Sequence, residues 1–276
     1  MTTHSASFLF GVVALGSFSL LASNASGADL ETRCATPSAC FCVSTAYESM
    51  IAEKVQLFRG RARQAKVAGK YVGYVSVPLS SRAGSYFTLN AEVANRIESR
   101  LAAQYGAASV WVLNPASKDA DMFLNGKNAS QSDYMYMWAQ VILGEKGSGE
   151  DIDFVYFTGL GDFAEYFGLT SSDQLGRLAA YFEQRQKWDA DFAKAVADGK
   201  VKKTEFVSYY GLRAGAAFSA GAHDEWNLIS AINGQRRKDD SKEGIARQIP
   251  IFFNGHAIEP GDFEEIVGSG NAGRCP

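Results

Sequence analysis

A glycine turn followed by two carboxylates is the part of this sequence best suited to chemistry. In the segment TGLGDFAE, Gly159 and Gly161 permit a tight turn and a close approach of the backbone to a ligand. A helix that starts after this turn offers unpaired N–H groups beside Asp162 and Glu165. Such carboxylates can stabilise or capture the cationic centre that develops when a glycosidic bond breaks. The structural alternative is a capping box, in which Asp162 caps the helix and Glu165 completes the box three residues later.

The histidines offer a second candidate site, although the chain has only three of them. In a helix, Ser219, His223 and Asn227 share one face at i, i+4 spacing. A Ser–His nucleophile within one helix is poorly oriented and has no evident third group, so we expect His223 to bond within the structure or to line a ligand pocket. His256 follows Asn254-Gly255, a turn signature, and is predicted to be exposed.

Further candidates for ligand contact lie in loops and on one aromatic helix face. Arg82 follows the first predicted strand of the main domain, where a guanidinium can hold a carboxylate or phosphate, although a solvated loop is the simpler interpretation. Asn114 follows the next strand. Tyr134 and Trp138 are predicted core residues that could instead flank a flat ligand. Neither a P-loop nor a GxGxxG or HExxH pattern is present, so we expect no metal and no cofactor.

The elements that must position these residues alternate between strands and helices. Strands are predicted at 71–77, 109–113 and 152–157, and amphipathic helices at 89–105 and 132–143. This alternation predicts an α/β fold, a three-layer and mostly parallel sheet of the flavodoxin or Rossmann type with extra C-terminal helices. Because ligands bind at the carboxyl ends of such strands, the crevice is expected to contain Arg82, Asn114, Gly159, Asp162 and Glu165.

The remaining segments complete one domain, predicted to span residues 71–276, with residues 29–70 as a disulfide-stapled segment and a helix in front of it. Further elements are predicted as helices at 43–66, 172–197 and 214–232, a fourth strand at 206–212 and a final strand at 249–253.

This order of segments resembles the nucleoside 2-deoxyribosyltransferase-like superfamily. The resemblance spans residues 71–169 and rests on YVGYVSVPL, VLNPA and GDFAEYFG, the last being similar to the family's D-x-G-T-x-x-E-x-G-like segment. It implies a flavodoxin-like core and cleavage of an N-glycosidic bond, with Glu165 as the nucleophile and Gly161 and Gly168 as partners in the motif. Thr158 stands where the family usually has an acidic residue before the glycine turn.

The two ends of the chain predict export and disulfides. Residues 8–22 form an apolar run, and Ser26-Gly27-Ala28 is a cleavage site, so residues 1–28 are predicted to be a signal peptide, with a retained membrane anchor as the alternative. Cleavage would leave no stable membrane insertion. The cysteines are Cys34, Cys40, Cys42 and Cys275. We expect one disulfide to join Cys275 to the N-terminal segment and Cys34 to pair with one of the other two, rather than a Cys-x-Cys metal site.

Charge and composition exclude one class of partner. The formal net charge is −3, and the basic run Arg236-Arg237-Lys238 is offset at once by Asp239 and Asp240. Nucleic acid is therefore not an expected partner. Two functions remain: an exported enzyme acting on an N-glycosidic bond through Glu165, or a periplasmic or secreted protein that binds a small molecule or another partner without chemistry. The oligomeric state does not follow from the sequence.

Overall fold

The computed structural model describes residues 29–80, 84–169, 172–239, 247–258, 270 and 272–276. The predicted leader and Arg82 lie outside these residues. In the described part the strands are β1 (Leu30–Thr36), β2 (Ala39–Ser44), β3 (Tyr71–Ser76), β4 (Val110–Leu113), β5 (Phe123–Leu124), β6 (Lys127–Asn128), β7 (Phe154–Phe157), β8 (Ile251–Phe253) and β9 (His256–Ile258). The helices are α1 (Glu48–Val67), α2 (Phe87–Tyr105), α3 (Gln131–Leu143), α4 (Leu160–Phe167), α5 (Gln174–Trp188), α6 (Ala190–Ala197), α7 (Lys203–Leu212) and α8 (Ala220–Asp239).

The main sheet has five strands in the order β4-β3-β7-β8-β9. The first four strands are parallel to one another, and β9 returns antiparallel to β8. The predicted strands at 71–77, 109–113 and 152–157 are confirmed as β3, β4 and β7, with slightly shorter bounds. The fold is therefore mixed α/β around a mostly parallel sheet.

Side chains alternate along the strands and feed two separate hydrophobic clusters. On β3, Val72 and Tyr74 belong to a cluster with α1, α3 and α8, whereas Val75 belongs to a cluster with α2 and α4–α7. On β7, Phe157 joins the first cluster and Tyr156 the second. This alternation is the period-two pattern of a strand, and it explains why the strand sequences are apolar almost throughout.

The N-terminal segment is a β1–β2 hairpin held by two disulfides. Cys34 pairs with Cys40 across the hairpin, and Cys42 pairs with Cys275 near the C-terminus. The prediction that Cys275 is joined to the N-terminal segment, with Cys34 bonded to another cysteine there, is confirmed. Buried Asp133 at the start of α3 accepts a hydrogen bond from the Ser44 amide at 2.8 Å, which fixes the end of the hairpin.

One predicted strand is wrong. Residues 206–212 fall within α7, because the buried Phe206, Tyr209 and Tyr210 are spaced as on one helix face. The predicted helix at 214–232 is found later, as α8, after a short 3-10 turn at Ala216–Phe218. Among the described helices, none is both long and apolar enough to cross a membrane.

Candidate functional site

Arg100 on α2 joins the two carboxylates that the sequence singled out. Its Nη2 donates to Oδ1 of Asp162 at 2.7 Å and to the Tyr156 hydroxyl at 2.6 Å, and its Nη1 donates to Oε2 of Glu165 at 2.6 Å. Burial is the largest single influence and lowers the pKa of Arg100, but the hydrogen bond to Asp162 and the nearby negative charges together outweigh it, so the pKa is raised. The guanidinium thus bridges α2, β7 and α4.

Tyr156 is the buried partner in this cluster. Its hydroxyl donates to Oδ1 of Asp162 at 2.7 Å, and the Arg100 guanidinium carbon lies 5.7 Å from the centre of its ring. Burial and the neighbouring negative charge of Asp162 raise the pKa of Tyr156 well above its usual value. The hydroxyl therefore stays protonated at neutral pH and serves as a hydrogen-bond donor.

The glycine turn forms the N-terminus of α4, and the N-cap residue is Gly159, three positions before the predicted Asp162. Oδ2 of Asp162 accepts the Gly159 amide at 2.9 Å, so Asp162 reaches back to the N-cap residue instead of occupying that position. The missing cap comes from the β8–β9 turn, where Oδ1 of Asn254 accepts the Asp162 amide at 3.1 Å. A Cβ on Gly159 or Gly161 would come within 2.6 Å of the Asn254 side chain, so both glycines are needed for this contact.

Glu165 does not complete a capping box. Its carboxylate leaves the helix and pairs with Arg100 at 2.6 Å and, more weakly, with Arg96 at 3.4 Å. The side chain keeps 49% of its exposure. The capping-box interpretation therefore holds for Asp162 in a shifted form and is wrong for Glu165, because the two arginines lie one helical turn apart on α2 facing α4.

Asn114 lies at the carboxyl end of β4, where it was predicted, but both polar atoms of its side chain form hydrogen bonds within the protein. The residue is buried; Nδ2 donates to Asn95 at 2.8 Å and to Glu98 at 3.0 Å, and Oδ1 accepts the Ala116 amide at 2.9 Å. Asn114 thus ties the end of β4 to α2. Of the expected crevice residues, the structure brings together Gly159, Asp162 and Glu165.

The two histidines of the described residues lie on α8 and at the start of β9. His223, on α8, bonds through Nε2 to the carbonyl of Ala217 at 2.9 Å, in agreement with the expectation that it bonds within the structure. His256 begins β9 and is exposed, as predicted, after a turn in which Asn254 and Gly255 both have positive φ. Trp138 is a core residue that packs on Phe58 and Tyr74. Within the described residues, no group of three or more His, Cys, Asp or Glu side chains is placed to hold a metal.

An aromatic groove opens beside Arg100 and Tyr156. Its volume is about 540 Å³, and it runs between the second half of α2 and the sheet face that carries Tyr156. Its aromatic walls are formed by Tyr71, Tyr105, Phe154, Tyr156 and Phe252. A smaller cavity of about 370 Å³ lies between the β1–β2 turn and α8, and Asn227 of the second candidate site is among the residues that line it.

The groove lies near the amino ends of the strands, opposite to the end expected for an open parallel sheet. Tyr71, Val110 and Phe154, the first residues of β3, β4 and β7, all line it. The Phe154 ring lies across β3, and a Cβ on Gly73 would come within 2.2 Å of it. Gly73 therefore leaves the room that the far end of this ring occupies.

Glu225 on α8 is another buried carboxyl group, on the opposite face of the sheet. It is 6% exposed and accepts a short hydrogen bond from the Tyr74 hydroxyl. Burial raises the pKa of Glu225 to about 7, against a smaller opposing effect of the hydrogen bonds it accepts.

No family model, curated protein or solved structure matches this chain. The residues of the cluster are therefore interpreted from their geometry alone.

Sequence reasoning missed Arg96, Arg100, Tyr156 and Asn254. The i, i+4 spacing of the two arginines on α2 was visible, but the same spacing occurs on any solvated helix face. Asn254 was read as a turn residue, which it is, and its cap on α4 depends on the packing of two segments 92 residues apart.

Proposed function

We propose that the mature chain is an exported protein that binds a small molecule in the aromatic groove without chemistry. For its fold we propose a three-layer α/β domain of the flavodoxin or Rossmann type with extra C-terminal helices. The strand order supports this, because the four parallel strands, taken in chain order as 1 to 4, are arranged 2-1-3-4, as in flavodoxin-like sheets. The separate helix clusters on the two sheet faces agree with it.

The observation that carries the binding proposal is a groove of about 540 Å³ whose walls are aromatic and whose ionic groups are already paired. Ligand pockets are usually concave, largely apolar and of about 300–1,000 Å³. Both oxygens of Asp162 and both oxygens of Glu165 accept hydrogen bonds. These bonds stabilise the carboxylates and occupy part of the lone-pair sites that a nucleophile or base would use.

Two features support export as part of this proposal. The chain begins with a sequence of signal-peptide type, and the structure pairs all four cysteines in two disulfides. Disulfides persist in oxidising compartments such as the bacterial periplasm or the extracellular space. A periplasmic or secreted protein is therefore proposed, with a small molecule rather than nucleic acid as its partner.

The groove can be tested with a library of nucleosides, sugars, amino acids and aromatic metabolites. Gln104 is exposed on the α2 wall of the groove, so Gln104→Trp should fill it without disturbing the core. We expect this variant to weaken binding of every genuine ligand by at least about tenfold, which is about 1.4 kcal/mol. Gln186→Trp, on the exposed face of α5, is the matched control and should bind like the unmodified protein. Ligands that bind equally well to both variants would contradict the proposal.

Cleavage of an N-glycosidic bond is the second candidate, because the Glu165 side chain keeps half of its exposure beside Arg100. Release of free base from nucleosides measures it directly. Under the binding proposal the unmodified protein releases none. If it does release base, and Glu165→Gln lowers the rate by orders of magnitude while exposed Glu183→Gln does not, the catalytic function replaces the binding one.

A further inference from the structure

We infer that the aromatic groove selects a neutral, planar aromatic compound. This inference rests on the proposed binding function and names the ligand class of that same site.

The shape of the ligand follows from the walls. Phe154 and Phe252, both half-buried, meet edge to face with ring centres 6.1 Å apart, and they form the floor on the sheet. Tyr71 and Tyr105 flank the groove and keep 66% and 50% of their exposure. Exposed tyrosines beside a half-buried aromatic floor offer ring faces and edges to a guest, and aromatic pairs favour offset or edge-to-face contact with another flat ring.

The charge of the ligand follows from the ion pairs at the groove. Among the described residues that line it, only Arg100 and Asp153 carry a charge. Arg100 is engaged by Asp162 and Glu165, and Asp153 accepts from Lys66 at 2.8 Å and from the Val72 amide at 2.8 Å. A charged ligand would lose hydration in the groove without meeting an unpaired partner, which is unfavourable. A neutral ligand avoids this cost.

The polar groups at the rim fit a neutral substituent. Gln104 and Ser109 line the groove and are exposed, and the amide nitrogen of Gln104 lies 3.2 Å from the Tyr105 hydroxyl. Amide and hydroxyl groups can exchange hydrogen bonds with a hydroxyl or carbonyl on the ligand. The groove therefore combines flat apolar walls with an uncharged polar rim.

Three probes with one carbon skeleton separate the two properties. They are 2-naphthol, which is neutral and flat, 2-naphthoate, which is flat and anionic, and decahydro-2-naphthol, which is neutral and saturated. Affinities are measured by calorimetry at pH 6.5, and the site by chemical-shift changes in ¹⁵N spectra. We expect 2-naphthol to bind at least about tenfold more tightly than either comparator. Signals of the α2 residues 100–105 should shift.

Variants connect the affinity to the groove. Tyr105→Ala should lower the affinity for 2-naphthol about fivefold, as expected for the loss of one aromatic contact of about 1 kcal/mol. Phe123→Ala, a substitution at an exposed residue, should leave this affinity unchanged. Gln104→Lys adds a cation without a built-in partner and should bring 2-naphthoate close to the affinity of 2-naphthol. All three substituted residues are exposed, so the fold should persist.

The outcomes distinguish this inference from the proposed function. If the saturated or the anionic probe binds as tightly as 2-naphthol, and if Tyr105→Ala lowers the affinity for that probe, the ligand class is overturned while the groove remains a binding site. If none of the three probes binds, or if binding ignores Tyr105→Ala, the ligand class is also overturned. The proposed function then depends on the separate library comparison of Gln104→Trp with Gln186→Trp.

Discussion

At the scale of single residues, Glu225 shows how a buried carboxyl group makes the stability of this fold depend on pH. Its side chain lies between α8 and β3, where the Tyr74 hydroxyl donates to it and Asp224 adds a nearby negative charge. Burial favours the protonated form, so the pKa rises to about 7 in the folded state, whereas an unfolded chain gives about 4.5. The folded state therefore holds this proton more tightly than the unfolded state.

The sign of the pH dependence follows from that difference. The contribution of Glu225 is fully present below about pH 4.5 and is lost as the pH rises through about 7, with a loss on the order of 3 kcal/mol. Glu225→Gln keeps the shape and the acceptor for Tyr74, so it should remove this part of the pH dependence. Urea denaturation between pH 4.5 and 8 measures it.

The matched control for Glu225 is Glu53→Gln, a substitution at an exposed carboxylate on α1 that should keep the unmodified pH profile. If the profiles of the unmodified protein and Glu225→Gln were parallel over the whole range, Glu225 would not be the group that responds.

At the scale of elements, α4 depends on a cap that another segment supplies. Gly159 has no side chain to accept the Asp162 amide, and Asn254 in the β8–β9 turn accepts it instead. Because Asn254 has a φ of 52°, its substitution by alanine both removes the cap and strains the backbone, while glycine removes only the cap.

Two substitutions separate these effects. Asn254→Gly should lower the free energy of unfolding by about 1 kcal/mol, the usual cost of a lost cap, and Asn254→Ala should cost about 1–2 kcal/mol more. Thermal and urea denaturation measure both. Equal stabilities of Asn254→Gly and the unmodified protein would show that the cap contributes nothing.

The elements also show what the sequence allows one to predict. The runs at 71–77, 109–113 and 152–157 are short, β-rich and separated by helical patterns, and each forms a strand of the main sheet. Residues 206–212 have the same β-rich composition but form α7. Phe206, Tyr209 and Tyr210 lie at i, i+3 and i+4, so a helix places all three on one face. Their burial there against other aromatic residues stabilises the helix by more than the strand propensity of the segment favours a strand.

The candidate site was predictable only in part, for a related reason. Asp162 and Glu165 stand out locally, because they follow a glycine turn at the end of a strand. Their partner Arg100 lies 62 and 65 residues earlier on another helix, and only the packing of α2 against α4 brings the three together. The groove itself depends on Gly73, whose missing side chain makes room for the Phe154 ring. Local patterns do not report such contacts.

At the scale of the whole molecule, the two disulfides differ mainly in the length of chain they close. Cys34–Cys40 spans six positions and Cys42–Cys275 spans 233. A crosslink stabilises the folded state mostly by restricting the unfolded chain, and the restriction grows with the logarithm of the loop length.

Removal of the one or the other disulfide should therefore lower the free energy of unfolding by different amounts. Replacing both Cys42 and Cys275 by alanine should lower the free energy of unfolding by about 5 kcal/mol, and the same replacement of Cys34 and Cys40 by about 2 kcal/mol. The two double variants are mutual controls, since each loses one bond between β2 and another segment. An equal loss in urea denaturation would contradict the loop-length explanation.

The Cys42–Cys275 bond also closes the stretch from residue 42 to residue 275 into a covalent ring. A protease that cuts one peptide bond between these cysteines opens the ring but does not release a fragment. Such a nicked molecule keeps its mass in a non-reducing gel and separates into two pieces only after the disulfide is reduced. In an oxidising compartment rich in proteases, two cuts are needed where an open chain would be divided by one.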